Sequence, residues 1–293
     1  MDLSTVTRII PARQRSDLDA LGPTVVPLAG GSELFADPRA HLEALVDLQA
    51  FGWAALTITD DDGAAGGGAR GGAGGGVGGG AGLEIAATCT FAELARLPQR
   101  AGWAAHPLFY QCCTALFGSF KVWNVATVGG NLATSLPAGP MITLAVALDA
   151  ELLVWRGDGS DEVVPARSFV TGNMTNVLGA TDVLRSIRVP LRSLQATTAY
   201  RKIALSPLGR SGAVLAGRRD TAGTFVLTVT AATLRPVQLR YPAVPSTEVL
   251  ARDIDAIDCW FTDAHGAADW RRAMGLLLGE EIRSELALRG GRS

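Results

Sequence analysis

The chain has 293 residues, of which 48% are hydrophobic, and 26 basic and 28 acidic residues give a formal net charge of −2. This length and apolar content allow a sizeable core and are typical of about two domains. Because the charges are spread without blocks, the sequence excludes the concentrated basic surface that nucleic-acid binding requires.

The sequence offers no candidate membrane span. Its best apolar run, residues 141–155, is too short to cross a bilayer and is interrupted by Asp149 and Glu151. The amino terminus lacks the basic region and apolar stretch of a secretory signal. We therefore expect a cytoplasmic protein.

The cysteines and histidines do not form a metal-site pattern. Cys89, Cys112, Cys113 and Cys259 include no C-x-x-C pair, and the two adjacent cysteines lie in an apolar segment that is typical of buried thiols. The three histidines lie among unlike neighbours, which gives little support for zinc. We predict no bound metal, so redox chemistry by this chain would need an organic cofactor.

The amino-terminal part of the chain reads as strands alternating with helices, a compact β-α-β-α-β unit. Strands are predicted over residues 3–10, 25–28, 45–48 and 53–59, and helices over residues 13–21 and from a cap at Ser32 through Phe35. The second strand runs directly into a paired-glycine motif, which allows a sharp turn of the backbone. The motif is Ala29-Gly30-Gly31-Ser32-Glu33-Leu34.

Residues 63–82 consist almost entirely of Gly and Ala. The tract contains matches to G-x-G-x-x-G, such as Gly66, Gly68 and Gly71. No predicted strand enters it and no helix leaves it, so the dinucleotide-binding fingerprint lacks its structural context. We predict a flexible surface insertion in a hairpin loop, removable without loss of the fold.

The central part of the chain carries further strands and helices. A capping box of Thr90 and Glu93 predicts a helix over residues 91–97. Further helices are predicted over residues 107–116 and 140–148, and strands over residues 83–87, 151–155, 162–164 and 183–189.

A second glycine pair, Gly129 and Gly130, follows an apolar, strand-like run that starts at Lys121. Two such turns predict two backbone nests whose N–H groups converge on one anionic ligand. The alternative is that both are ordinary tight turns.

The carboxy-terminal part reads as a small α+β domain beyond a boundary at residues 190–198. Strands are predicted over residues 211–218, 224–233 and 237–241, and an amphipathic helix over residues 270–288. The helix is expected to face Met274, Leu277, Leu278 and Ile282 toward the core.

Four motifs, taken in order, resemble those of one known family. Residues 29–34 resemble its A-G-G-T-D-L, residues 45–48 its L-I-D-L, residues 124–132 its N-V-A-T-I-G-G-N-L, and residues 200–202 its Y-x-K. The family is the flavin subunit of the molybdenum hydroxylases, which includes the medium subunit of carbon monoxide dehydrogenase and the flavin domain of xanthine dehydrogenase.

The resemblance implies an α+β fold of the vanillyl-alcohol-oxidase, or PCMH, type. In this arrangement residues 1–58 and 59–192 are two FAD-binding subdomains, with residues 63–82 as the insertion. Residues 198–290 are the small α+β carboxy-terminal domain.

The resemblance also implies that the chain is a flavoprotein with a defined set of FAD-binding residues. Those expected to hold the pyrophosphate, largely through backbone N–H groups, are Ala29, Gly30, Gly31, Ser32, Glu33, Leu34, Thr127, Val128, Gly129, Gly130 and Asn131. A diphosphate needs several convergent donors, which agrees with glycine-rich loops. Phe117 and Leu184 are expected near the cofactor, Tyr200 beside the isoalloxazine, and Lys202 or Arg201 as a cation. Ordinary core positions remain the alternative for Phe117, Leu184 and Tyr200.

Two residues depart from the family pattern. Pro140 stands where the family has an Asp that often bonds the adenosine side, and Trp123 where it usually has an Arg. Loss of one charge-assisted hydrogen bond costs about 1.5–3 kcal/mol, so we expect weaker FAD binding but not its abolition.

By the resemblance, the chain is the electron-transfer subunit of an oxidoreductase. A large subunit with a molybdenum cofactor would oxidise the substrate, and a small subunit with two [2Fe-2S] clusters would pass electrons through FAD to an external acceptor. The assembly is expected to be a dimer of heterotrimers, and no catalytic acid–base residue is assigned to this chain. The alternatives are a stand-alone flavin oxidoreductase of the vanillyl-alcohol oxidase fold and a flavin-free scaffold subunit.

Overall fold

The computed structural model describes residues 3–59, 80–116 and 118–290. Most of the predicted Gly/Ala insertion, residues 63–79, lies outside the described residues, and so does Phe117. No helix of the described ranges is long and apolar enough to cross a membrane.

The amino-terminal sheet has three parallel strands. They are β1 (Arg8–Pro11), β2 (Val25–Leu28) and β3 (Ala44–Asp47), in the spatial order β1-β3-β2. Of the two helices predicted in this unit, the first is present as a 3-10 helix, Arg15–Ala20, and the second is wrong because the residues after Ser32 form turns. Pro38 limits any helix that starts at Ser32 because it disfavours helical backbone at the residue before it.

A five-stranded antiparallel sheet forms the centre of the molecule, in the order β4-β5-β10-β6-β7. Its strands, with the hairpin β8–β9 beside them, are β4 (Leu56–Thr59), β5 (Gly82–Ala86), β6 (Glu151–Trp155), β7 (Asp161–Pro165), β8 (Val170–Gly172), β9 (Thr175–Asn176) and β10 (Val183–Pro190). A second 3-10 helix, Leu48–Phe51, joins this sheet to the first.

Several helices pack on the central sheet or on one another beside it. They are α1 (Phe91–Leu94), α2 (His106–Ala115), α3 (Phe120–Val125), α4 (Val128–Thr134), α5 (Pro140–Ala147), α6 (Ala166–Phe169) and α7 (Leu191–Leu194). The predicted capping box is present, since the Thr90 N–H donates to Glu93 at 2.8 Å and the Glu93 N–H donates to the Thr90 hydroxyl at 3.2 Å. Every residue of α5 is buried, as expected for a helix without a polar face.

The carboxy-terminal part is a four-stranded antiparallel meander with two helices. Its elements are β11 (Thr197–Ile203), β12 (Ala213–Arg219), β13 (Phe225–Thr230), β14 (Val237–Tyr241), α8 (Thr247–Asp255) and α9 (Ala268–Gly290). α9 packs on β11 and β12. The mixture of helices and sheets confirms the predicted α+β class, while the predicted domain boundaries stay a prediction.

Two predictions about this part are wrong. The segment read as a structure-poor boundary, residues 190–198, contains α7 and the start of β11. On α9, Leu278 and Ile282 are buried, but Leu277 is 52% exposed. Leu278, Ile282 and the buried Leu286 follow one another at intervals of four residues, so they share a face, and Leu277 lies one helical step away from it.

A buried ion cluster joins the end of α5 to the meander. The Arg218 side chain is almost completely buried and donates to the Ala147 carbonyl oxygen at 2.7 Å and to Asp149 Oδ2 at 2.5 Å. Asp149 also pairs with Arg240. Burial alone would raise the pKa of Asp149, but the charges and hydrogen bonds of these two arginines outweigh burial and lower it.

Candidate functional site

The two glycine motifs meet in space. We call residues 29–34 the first loop and residues 126–131 the second loop. A Cβ built on Gly30 would lie 1.7 Å from the carbonyl oxygen of Val125 and 3.2 Å from the Cα of Ala126. The backbone of the first loop therefore rests directly on the backbone that enters the second, an approach that requires glycine.

The first loop leaves the parallel strand β2 as a tight turn. Gly31 has a positive φ of 70°, and the Phe35 N–H closes the turn by donating to the Gly31 carbonyl oxygen at 2.9 Å. Within the described part of the chain, the N–H groups of Gly30, Gly31 and Ser32 have no protein acceptor. This loop therefore has backbone donors available for a ligand.

The sequence predicts that the second loop is a turn at two glycines after a strand, and this prediction is wrong. The run before it forms α3, and both glycines lie in the first turn of α4. Thr127 caps α4, because its Oγ1 accepts from the Gly130 N–H at 3.0 Å. The local sequence favours a strand, but the Thr127 cap and tertiary packing stabilise a helix here instead.

Most N–H groups of the second loop are bonded within the protein, and the exception among the described residues is that of Thr127. Val128 donates to the Cys89 carbonyl oxygen at 2.8 Å, and Gly129 to that of Ala87 at 2.9 Å. Asn131 donates to the Thr127 carbonyl oxygen at 3.0 Å. A Cβ on Gly129 would lie 2.4 Å from the Ala87 Cβ, so this glycine is needed to seat α4 against the chain that follows β5. The second loop thus shapes the site more than it supplies donors.

The two loops border one cavity of about 640 Å³, a size typical of small-molecule and cofactor sites. Most of the residues predicted from sequence as ligand contacts line it. They are Ala29, Gly30, Gly31, Ser32, Glu33, Leu34, Thr127, Gly129, Gly130, Asn131 and Leu184.

The other predicted contacts are placed differently. Val128 of the second loop is buried, and Lys202 is exposed on β11. Tyr200 packs into the core beside Cys112, where its hydroxyl has no partner among the described residues and burial raises its pKa. Neither Tyr200 nor Lys202 lines the cavity. Phe117 is outside the described residues.

The cavity also holds side chains that the sequence did not point to. Arg39, His41 and Arg210 line it, together with Ser211. The Nε of Arg39 and the Oγ of Ser211 are buried and have no hydrogen-bond partner among the described residues. A parallel pairing of β2 with β3 would have indicated Arg39, which lies in the connection between them. Ligands of parallel sheets bind beyond the carboxyl ends of the strands.

Asp182 lines the cavity, but its carboxylate is bonded within the protein. It accepts from Arg156 Nη1 at 2.6 Å and from the N–H groups of Gly157 at 2.9 Å and Gly179 at 2.7 Å. Burial would raise the pKa of Asp182, but these hydrogen bonds and the Arg156 charge lower it. Its negative charge is therefore balanced locally.

The two departures from the family pattern occupy apolar positions. Pro140 lines the cavity and begins α5, where its missing N–H is not needed by the helix. Asn131 Oδ1 accepts the Met141 N–H at 3.0 Å, so the Asn131 side chain anchors the start of α5. Trp123 lies on α3 and packs, partly buried, against the central core.

The residues around the cavity fit an anionic ligand. Free backbone donors, a glycine cradle that a Cβ would fill, and the unpaired polar atoms of Arg39 and Ser211 all face one space. Such groups recognise phosphate oxygens without a metal ion.

Residues 77–192 match the family described as "FAD binding domain in molybdopterin dehydrogenase". This range contains the second loop but not the first.

The curated relatives include xanthine dehydrogenase 2 and xanthine dehydrogenase 1 of Arabidopsis thaliana. Each is 26% identical to this chain over 115 residues, which are 37% of this chain and 8% of the relative. The chain is therefore similar to a small part of much longer proteins.

Several solved structures share the fold over nearly the whole chain. Reconstituted CO dehydrogenase from Oligotropha carboxidovorans has a TM-score of 0.76 at 20% identity, covering 97% of this chain and 99% of that one. CO dehydrogenase from Hydrogenophaga pseudoflava, in a form lacking the Mo-pyranopterin moiety, has a TM-score of 0.70 at 20% identity, covering 94% and 96%. Quinoline 2-oxidoreductase from Pseudomonas putida 86 has a TM-score of 0.72 at 16% identity, covering 97% and 98%.

Proposed function

We propose that this chain is an electron-transfer subunit. Residues 77–192 match the FAD binding domain of molybdopterin dehydrogenases, which confirms the predicted flavin cofactor and oxidoreductase class. The chain binds FAD and passes electrons from [2Fe-2S] clusters of a partner chain to an external acceptor. The observation that carries the proposal is the cavity between two glycine loops whose backbones touch.

The first loop is the proposed donor set for the FAD diphosphate. Its N–H groups at Gly30, Gly31 and Ser32 are unbonded in the described structure and border the cavity. Charge-assisted hydrogen bonds from backbone N–H groups to phosphate oxygens are about twice as strong as neutral ones. The second loop closes the other side through the close packing of Gly129 and the anchored side chain of Asn131.

The remaining contacts are apolar and positional. Leu184 lies on the central strand β10 and lines the cavity, so we propose it as an apolar contact of the cofactor. FAD supplies the two-electron and one-electron chemistry when bound, and the chain binds it, orients it and shields it from water. We do not extend the proposal to Tyr200 or Lys202, which lie away from the cavity lining.

The proposed partners follow from the fold likeness to solved dehydrogenases. CO dehydrogenase and quinoline 2-oxidoreductase chains match this chain almost end to end. One of these CO dehydrogenase structures is of a form that lacks the Mo-pyranopterin moiety of its molybdenum cofactor. We propose a large subunit that holds the molybdenum cofactor and a small subunit that holds two [2Fe-2S] clusters, assembled as a dimer of heterotrimers.

The decisive experiment is reconstitution of the purified chain with FAD. The proposal predicts saturable binding, followed by quenching of flavin fluorescence, and the absorption bands of oxidised flavin in the isolated complex. Failure to bind FAD after reconstitution would favour the flavin-free scaffold and contradict the proposal.

A second measurement tests the assembly. Native affinity purification from the source cells is expected to recover molybdenum- and iron-containing chains along with this one. Recovery of the flavoprotein alone, with substrate oxidation by the isolated chain, would instead support the stand-alone flavin oxidoreductase.

A further inference from the structure

We infer that Arg39 supplies a positive charge to the diphosphate of the bound cofactor, a role that neither glycine motif fills. The inference rests on the proposed function, because it names the counter-charge of that FAD site. It assigns a side chain outside both glycine motifs to ligand binding.

The first step is the shortage of donors in the second loop. Its N–H groups at Val128, Gly129, Gly130 and Asn131 all bond to protein oxygens. The free N–H groups that remain are those of the first loop and of Thr127, and these are dipoles, not full charges. A cation from elsewhere in the chain would therefore add the positive charge that a buried diphosphate favours.

The second step is the state of the Arg39 side chain. Arg39 lines the cavity, and its Nε is buried without a hydrogen-bond partner among the described residues. Among the described residues, no carboxylate lies within ion-pair distance of the Arg39 guanidinium. An unpaired buried donor of a charged group is costly, and a phosphate oxygen is an acceptor that would satisfy it.

The third step is the placement of Arg39 in the fold. The connection between β2 and β3 carries both the first loop and Arg39. A turn fixes the backbone here, because the Leu42 N–H donates to the Arg39 carbonyl oxygen at 3.0 Å and the Leu42 side chain is buried. The guanidinium and the free N–H groups thus belong to one anchored segment facing one cavity.

Arg210 is the competing cation. It lines the same cavity but comes from the connection between β11 and β12. Its side chain has no buried unpaired atom, in contrast to Arg39. Arg39 is the better candidate, because it lies in the same β2–β3 connection as the free donors of the first loop and has a buried donor without a partner.

The test compares ligands that differ in phosphate content. We would titrate apo wild type, Arg39→Met and Arg39→Lys with FAD, with riboflavin, which has no phosphate, and with inorganic pyrophosphate. Arg39→Met is expected to weaken FAD binding on the order of 10- to 100-fold, the effect of losing one or two charge-assisted hydrogen bonds. Riboflavin binding should not change, pyrophosphate binding should fall with that of FAD, and Arg39→Lys should give a smaller loss because it keeps the charge.

Two further variants separate contact from bulk charge. Arg167→Met removes an equal charge from an exposed position on α6 and should leave FAD binding unchanged. Arg210→Met removes it from the same cavity and should weaken FAD binding less than Arg39→Met does. Unchanged unfolding midpoints would show that each variant is folded, and Arg39→Lys serves if the Met variant is not.

Several results would overturn the inference. One is wild-type FAD affinity in Arg39→Met. Another is an equal loss of riboflavin and FAD binding in that variant, and a third is a loss of FAD binding in Arg210→Met as large as in Arg39→Met. If Arg39→Met binds FAD normally while Gly30→Ala does not, the inference fails and the proposed function stands. If the wild type binds pyrophosphate in an Arg39-dependent way but not FAD, the anion site stands and the proposed function fails; binding of neither ligand refutes both.

Discussion

Gly30→Ala is the substitution that tests the site most directly, because it separates the two loops. The added methyl group would lie 1.7 Å from the Val125 carbonyl oxygen and 2.6 Å from its carbonyl carbon. Real Cβ contacts are not shorter than 3.0 Å, so one backbone must retreat by at least 1.3 Å, the difference between 3.0 and 1.7. Both obstacles are backbone atoms, so no side-chain rotation relieves the clash.

The magnitude follows from that displacement. Hydrogen bonds of N–H groups to oxygen span about 2.7–3.2 Å and are lost by about 3.6 Å, so a shift above 1 Å removes them. With about 1.5–3 kcal/mol for each charge-assisted bond, losing one or two weakens FAD binding by at least about tenfold. Overpacking itself costs about 1–3 kcal/mol of unfolding free energy.

Isothermal titration with FAD and urea unfolding measure the two effects. Gly22→Ala is the matched control, since a Cβ there meets no atom within 4 Å and Gly22 does not have a positive φ. It should keep wild-type affinity and stability. If Gly30→Ala binds FAD as tightly as Gly22→Ala, the loops do not form the cofactor cradle and the reasoning is refuted.

Three further predictions concern the second loop and the ion cluster. Gly129→Ala places a methyl group 2.4 Å from the Ala87 Cβ and should lower both the unfolding free energy and FAD affinity, whereas unchanged affinity would show that the seat of α4 is irrelevant to binding. Thr127→Val removes the cap of α4 and should cost about 0.5–2 kcal/mol in urea unfolding, while Thr127→Ser, which keeps the hydroxyl, should cost less; equal losses would contradict the cap. Because the pKa of Asp149 is lower in the folded state, its contribution to stability is present above the unfolded value near 3.8 and is lost as pH falls through the folded value. The unfolding free energy, measured by urea unfolding across the acid range, should therefore fall less steeply below pH 3.8 in Asp149→Asn than in the wild type. Identical slopes would contradict the assignment.

Local signals in the sequence were sufficient for several elements. The capping box of Thr90 and Glu93 forms as predicted, and β6, β14 and the start of α5 at Pro140 occur where their residues indicate. The capping box and the helix start depend on contacts within a few residues of one another, so their physics is contained in short stretches of the chain. The two strands are indicated by their local composition, although pairing with other strands holds them in place.

The second loop could not be predicted in the same way. Its valines favour a strand locally, but the Thr127 cap and the contact of Gly129 with Ala87, forty-two positions earlier in the chain, make it a helix. The same distant contacts bind the N–H groups that the sequence had suggested for a ligand. Pairing between remote segments decides this conformation, and no local pattern reports it.

The sequence by itself determined where glycines permit close backbone approach, and with them the resemblance that predicted the flavin class of cofactor. The tertiary structure alone decided that the two motifs touch, that the first loop keeps free donors while most of those in the second loop are bonded, and that Arg39 faces the same cavity. The physical reason is that a glycine's freedom belongs to one residue, whereas a free donor or an unpaired charge depends on which acceptors the fold brings near it.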